Sequence, residues 1–323
     1  MAKVGGCLFR IGYFLYTRTR IGYYYHRRDV AKARDKYGLS SGHTVVQPAE
    51  YGSLQIIPIP MALDNYAYII LDTQSKVAVV VDPGDPEPVE NVLNELDITP
   101  EAVLITHKHW DHSGGSSQMK NHYRGIRIYG GIHDDVPDVT HSVTDHDVLE
   151  FGRLKIHVIF TPGHTEGHVV YVLDGSPFGA PDSMFSGDHL FLSGCGRMFE
   201  MPASVMLRSL DTISQMKPDT LIWPGHEYAR ENLEFACHLE PNNKAAQRKW
   251  AWVKQQRKKK LCTSPSTIQE ELTYNPFLRT KEESMLFSIG ILTGDKFTVP
   301  SDEVRARVLA EIRERKDNFK YLL

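Results

Sequence analysis

The chain has 323 residues, 41% of them hydrophobic, and its 37 Lys and Arg against 40 Asp and Glu leave a net charge of -3. That length supports a sizeable core and predicts two domains, while the near-neutral balance argues against nucleic acid as a partner. Four scattered cysteines, Cys7, Cys195, Cys237 and Cys262, form no paired motif, which points to free thiols in a reducing compartment rather than a disulfide framework.

The first fifty residues stand apart. No acidic residue precedes Asp29, whereas Lys3, Arg10, Arg18, Arg20, Arg27 and Arg28 are interleaved with Phe9, Tyr13, Phe14, Tyr16, Tyr23, Tyr24 and Tyr25. The longest uncharged apolar stretch, Ile11 to Tyr16, falls far short of the roughly 17–25 residues that span a bilayer, so no transmembrane helix is expected. A basic, aromatic arm of this kind predicts attachment to a membrane surface, mitochondrial targeting or a protein partner. A tail packed on the rest of a cytoplasmic protein is the alternative. Gly38 to His43 reads as the linker.

From Ser53 to Trp223 short strands dominate: Leu54 to Ile59, Tyr66 to Leu71, Val77 to Val81, Ala102 to Ile105, Ile156 to Phe160 and Val169 to Leu173. Helices near Pro88 to Leu96 and Ala203 to Met216 interrupt them, which predicts an α+β fold of two sheets faced by helices.

Several of these runs end on a His or Asp. Ala102 to Ile105 is followed by Thr106-His107-Lys108-His109-Trp110-Asp111-His112. Alternate side chains of a strand share a side, so His107 and His109 can grip one ion, while Asp111 and His112 are free to turn toward a second. The same alternation turns Lys108 and Trp110 away. Histidine and aspartate are costly to bury unless paired or metal-bound, so packing explains the cluster poorly. Ile156 to Phe160 runs into Thr161-Pro162-Gly163-His164, Met184 to Gly187 delivers Asp188, and Leu221 to Gly225 delivers His226. One histidine after a strand is more often a turn residue; the repetition carries the weight. Seven ligand types suit two metals: His107, His109 and His164 for one, Asp111, His112 and His226 for the other, with Asp188 bridging. Imidazole and carboxylate without thiolate favour zinc, with iron or manganese as alternatives.

After Tyr228 the character becomes helical, with Glu231 to Ala236, Asn243 to Lys259, Thr267 to Glu271 and Glu303 to Lys320 rich in Lys, Arg and Glu. The expected organisation is therefore an arm over 1–50, a catalytic domain over 51–226 and a mostly helical domain over 227–323. In the last helix Arg313 and Lys316 share a face, solvated by default.

The T-H-x-H-x-D-H motif with His164, Asp188 and His226 resembles the metallo-β-lactamase superfamily and, within it, the glyoxalase II (hydroxyacylglutathione hydrolase) family. Pro60 to Tyr68, Gly194 to Glu200, Gly225 to Tyr228 and Tyr274 to Arg279 extend the likeness from about Leu54 to the C-terminus. The resemblance implies an αβ/βα sandwich with metals at one edge and a glutathione thioester as substrate. It also implies that Arg197, Tyr228, Arg313 and Lys316 bind glutathione. Phe199 departs from the family, which usually has a tyrosine there, and one lost hydrogen bond is worth about 0.5–1.5 kcal/mol. Arg197 stands for a lysine, keeping the charge but not the hydrogen-bond geometry.

The expected chemistry is attack of a metal-bridging hydroxide on an acyl carbonyl, with Asp111 both a ligand and the acceptor that orients the nucleophile. Thiolate leaves readily and needs no strong general acid. Cys195, in Gly194-Cys195-Gly196, ranks far behind as a nucleophile. Two other readings compete: a persulfide dioxygenase-like enzyme with one iron, and a membrane-associated scaffold with weak hydrolase activity. The complete second ligand set opposes the former; Phe199 and the arm keep the latter open.

Overall fold

The computed structural model describes residues 7–38, 42–292 and 297–320. Within them β1 (Ala49–Tyr51), β2 (Leu54–Met61), β3 (Asn65–Asp72), β4 (Val77–Val81), β5 (Ala102–Ile105), β6 (Arg127–Gly131) and β7 (His141–Val143) form one sheet in chain order. The pairs from β1 to β4 are antiparallel and those from β4 to β7 parallel. A second sheet takes β8 (Val148–Phe151), β9 (Leu154–Phe160), β10 (Val169–Leu173) and β11 (Ser183–Gly187) in turn, then β14 (Leu221–Pro224) and β15 (Ser266–Thr267). A small ribbon of β12 (Leu190–Phe191) and β13 (Gly194–Cys195) lies between β11 and β14 in the chain.

Strand alternation builds four layers. In β2, β3 and β4 the set Ile56, Tyr66, Tyr68, Ile70, Val79 and Val81 points to the second sheet, where it meets Leu154, Ile156, Tyr171, Phe185 and Trp223. The opposite set, Ile57, Ile59, Ala67, Ile69, Ala78 and Val80, packs with Val89 and Leu93 of α3 (Pro86–Glu95) and Met119. Strands apolar on both faces must be covered on both sides, hence helix, sheet, sheet, helix. The outer face of the second sheet, with Val170, Met184 and Ile222, receives α6 (Ala203–Ser214). This is the sandwich that the resemblance implied.

Two short helices near the sheet edge, Trp110–Ser113 and Ser116–His122, are α4 and α5. The chain beyond residue 226 is mostly helical, with α7 (Ala229–Leu239), α8 (Lys244–Lys258), α9 (Ile268–Tyr274), α10 (Glu283–Ser288) and α11 (Asp302–Asp317). β15 nevertheless belongs to the second sheet, pairing Thr267 with Leu221. Ser301 caps α11 by accepting from Val304 N, and Val308, Leu309 and Ile312 anchor it in the same cluster as Met206 and Leu210 of α6.

The N-terminal arm is a pair of helices, α1 (Cys7–Arg18) and α2 (Arg20–Tyr37), separated at Thr19, whose hydroxyl accepts from Ile21 N. It does not stand away from the protein. Trp110 Nε1 donates to Tyr16 O at 2.7 Å, His26 Nε2 meets Gly84 O at 2.9 Å, and Arg34 spans both oxygens of Asp85 at 3.0 Å. Arg18 pairs with Asp135. Arg18 and Arg34 thus find acids on their own chain, while Leu8, Phe14, Ile21 and Tyr24 remain exposed. Of the expected linker, residues 39–41 lie outside the described residues, while His43 is buried against Asn65 O at 2.9 Å.

Candidate metal centre

The centre is assembled from turns at one edge of the two sheets. β5 ends into His107, His109, Asp111 and His112; the turn after β9 supplies His164; β11 and β14 end at Asp188 and His226. The glycines before the last two are required by space. Gly187 has φ 48°, and a Cβ there would meet Thr106 Oγ1 at 2.4 Å; one on Gly225 would meet His112 Cε1 at 2.5 Å.

All seven expected ligand residues meet here. Nδ1 of His109 lies 3.0 Å from Nε2 of His107 and 3.0 Å from Nε2 of His164. Asp188 divides its oxygens: Oδ2 is 3.3 Å from His164 Nε2, whereas Oδ1 is 3.2 Å from His112 Nε2 and 3.3 Å from His226 Nε2. Asp111 Oδ2 is 3.3 Å from His226 Nε2 and 3.6 Å from His112 Nε2. Three sets among the described residues can each surround a cation: His107, His109 and His164; His107, His112 and Asp188; Asp111, His112 and His226. His112 Nε2 and Asp188 Oδ1 are buried without a sound hydrogen bond, and buried polar atoms left so are costly. Lone pairs converging on shared gaps fit divalent cations better than any protonation pattern.

Electrostatics divide the cluster. Burial and neighbouring imidazoles hold His107 and His109 well below the usual histidine range, so both are neutral. Burial also opposes the charged form of His112, but Asp188 and Asp111 outweigh it and push that imidazole up to about 10. His226 is raised well above the usual range too: burial is overcome, chiefly by Tyr228 and Asp188.

Each histidine is oriented by its far nitrogen. His112 Nδ1 donates to Asp82 Oδ2 at 2.9 Å, His226 Nδ1 to Asp64 Oδ1 at 2.7 Å, and His164 Nδ1 to Arg197 O at 2.8 Å. His107 Nδ1 meets Thr106 Oγ1 at 3.1 Å, and that hydroxyl donates to Asp82 Oδ2 at 2.7 Å. His109 Nε2 meets Tyr13 Oη of α1 at 3.0 Å. Such partners fix the tautomer that leaves the inner nitrogen free for a cation.

Sequence reasoning missed Asp82, Asp64 and Tyr13. Asp82 carried a signal, because Val77 to Val81 delivers it as the other strands deliver their ligands. Lys108, expected to point away, does so into a buried pair with Glu200 at 2.7 Å.

The four residues expected to bind substrate line one cavity of about 960 Å³ together with His109, Asp111, His164, Asp188 and His226. Tyr228 stacks on His226, centroids 4.6 Å apart and planes 8° from parallel. Arg313 reaches Cys195 O at 3.0 Å and Asp317 at 2.9 Å; Arg197 reaches Asp317 at 3.2 Å, and Lys316 bonds Asn232 Oδ1. Phe199 faces the same space, its centroid 5.2 Å from His164. Burial pushes the Cys195 thiol up to about 11, so it stays protonated and is no nucleophile.

Residues 62–226 match the model of the metallo-beta-lactamase superfamily, and residues 227–319 that of the hydroxyacylglutathione hydrolase C-terminus. A protein of Arabidopsis thaliana, hydroxyacylglutathione hydrolase cytoplasmic, is 39% identical over 269 residues, covering 83% of this chain and all of the relative. The chain belongs to the hydroxyacylglutathione hydrolase family. In that family's terms, the cavity lies where the superfamily sandwich meets the hydroxyacylglutathione hydrolase C-terminus. The fold is shared with ETHE1 from Myxococcus xanthus, at a TM-score of 0.51 and 22% identity over 83% of this chain and 99% of that one. It is shared also with the B3 metallo-beta-lactamase BLEG-1, at 0.50 and 22% over 72% and 99%.

Proposed function

We propose that the protein hydrolyses glutathione thioesters of the S-2-hydroxyacyl class, such as S-lactoylglutathione, to a hydroxy acid and glutathione. One observation carries the reading: five of the seven clustered ligand residues, His109, Asp111, His164, Asp188 and His226, line a single cavity with Arg197, Tyr228, Arg313 and Lys316. Family membership supports it. His107, His109, His164 and Asp188 would hold one divalent ion, and Asp111, His112, His226 and Asp188 the other, with zinc favoured by the donor set over iron or manganese. When bound, two such ions supply Lewis acidity and bring the pKa of water from about 15.7 toward neutrality.

The remaining work falls to the chain. Asn65 Nδ2 donates to Asp111 Oδ2 at 3.0 Å and holds that carboxylate in place. Asp111 Oδ1 accepts from the Tyr16 hydroxyl at 3.5 Å, and its remaining lone pair can accept the proton of the attacking water. Water oxygen adds to the acyl carbon, the carbon–sulfur bond breaks, and the thiolate takes a proton to become glutathione. Arg313, Lys316 and Arg197 supply positive charge for the peptide carboxylates, and the Tyr228 hydroxyl supplies a donor.

The steady-state test uses S-lactoylglutathione and the pair Arg313→Ala with Lys316→Ala. Cations that hold a remote carboxylate equally in ground and transition states should raise KM far more than they lower kcat. A kcat loss at unchanged KM would count against these residues as glutathione ligands. A dioxygenase-like reading is disfavoured by the complete second set Asp111, His112 and His226. The similar Arabidopsis protein is named as cytoplasmic, and among the described residues no helix is long and apolar enough to cross a membrane. The relative's name favours a cytoplasmic location over the mitochondrial or membrane one.

A further inference from the structure

Four of the five clustered histidines take their outer hydrogen bond from the sandwich; His109 takes it from the arm. Its Nδ1 faces His107 and His164, so its proton belongs on Nε2, which lies 3.0 Å from Tyr13 Oη. The phenol then accepts from His109 and donates onward to Glu200 Oε1 at 3.1 Å. Glu200 is itself fixed by the buried Lys108, whose Nζ is 2.7 Å from it. The chain of donors therefore runs in one direction, from imidazole through phenol to a carboxylate neutralised by a lysine. Tyr13 also stands edge-on to the His109 ring, centroids 5.8 Å apart at 88°, and 5.3 Å from Phe199.

We propose that Tyr13 is a positioning residue of the metal centre, so that the N-terminal arm completes the active site of this protein. The inference rests on the binuclear reading above. A carboxylate commonly orients a metal-bound histidine directly; here the phenol is interposed, and the arm must be docked for it to reach. Phe9, Tyr13 and Tyr16 roof the cavity without filling it, because about 960 Å³ remains beneath them. Ligand pockets span about 300–1,000 Å³, so the docked arm is compatible with an occupied site.

The test uses the full-length chain loaded with zinc, and a cobalt-substituted form for proton NMR. Tyr13→Phe removes only the hydroxyl. Phe14→Ser, on the exposed face of the same helix, is the control. Loss of an outer partner should weaken binding of the ion at His107, His109 and His164 by about 10–100-fold in chelator competition. In the cobalt form one exchangeable imidazole N–H resonance, that of His109, should broaden or vanish in Tyr13→Phe and persist in Phe14→Ser. Glu200→Gln, which keeps an acceptor but removes its charge, should move metal retention in the same direction by less. Metal retention within about twofold of wild type, with every ring N–H resonance in place, overturns the role of Tyr13 while leaving the binuclear reading intact. A wild-type chain that takes up no ions overturns both.

Discussion

Asp82→Asn isolates the partner that orients the second ion's histidine. The Asp82 carboxylate accepts three hydrogen bonds in a buried setting: Thr106 N at 2.8 Å on Oδ1, with Thr106 Oγ1 at 2.7 Å and His112 Nδ1 at 2.9 Å on Oδ2. Its backbone has φ 49°, a conformation asparagine tolerates, so the substitution leaves the turn and the side-chain shape alone. The amide can face only two ways. With NH2 toward His112, Nδ1 must become an acceptor and the imidazole proton moves to Nε2, the atom turned toward Asp188 and required as a ligand. With NH2 toward Thr106 N, a buried backbone donor is stranded. A buried unpaired donor costs about 1–3 kcal/mol, or roughly 5–150-fold in an equilibrium constant. Binding of the ion at Asp111, His112 and His226 should therefore weaken by about 10–100-fold in competition with a chromogenic chelator, and thioesterase activity should fall with it. An Asp82→Asn protein that retains two ions at wild-type affinity would refute the reasoning.

Burial, reinforced by Arg313, pushes the Lys316 ammonium down to about 7. Its charge is complete below that pH and lost above it, so KM for an anionic thioester should climb from about pH 7 upward while kcat does not follow. Lys316→Arg should flatten the climb, and a wild-type KM that is flat with pH would exclude Lys316 as the anion holder. Phe199→Tyr should lower KM by up to about tenfold if a missing hydroxyl is the only deficit, a gain that steady-state kinetics would register and whose absence would remove it as a specificity determinant. Asp188→Ala should reduce kcat more than any single histidine variant, because Asp188 Oδ1 and Oδ2 face different ligand sets; equal losses would contradict a bridging role.

The cluster was legible because its signal is local and repeated: short apolar strands end at a His or Asp, three of them through a Gly-containing turn. The long strands were legible for the same reason, since β4, β5 and β10 are uninterrupted apolar runs and β2, β3 and β9 are mostly apolar. Short edge strands such as β7 and β15 were not, because two or three residues hold no periodicity and their pairing is decided by neighbours. Asp82 was overlooked although Val77 to Val81 points at it, because the following Pro83-Gly84 reads as an ordinary turn. Tyr13 had no local signal at all. It acts on a histidine 96 residues away, and only the docking of α1 brings them together. The same blindness made the arm look like a surface for an outside partner, since Arg18 and Arg34 give no hint in sequence of Asp135 and Asp85.

The most direct test of the account is a single titration on the purified full-length chain. Metal is stripped with chelator, zinc is added back in measured equivalents, and hydrolysis of S-lactoylglutathione is followed at each step. The account predicts no turnover without metal and activity that rises to saturation as the second equivalent is bound. Full loading with two ions and no hydrolysis of any glutathione thioester would contradict it.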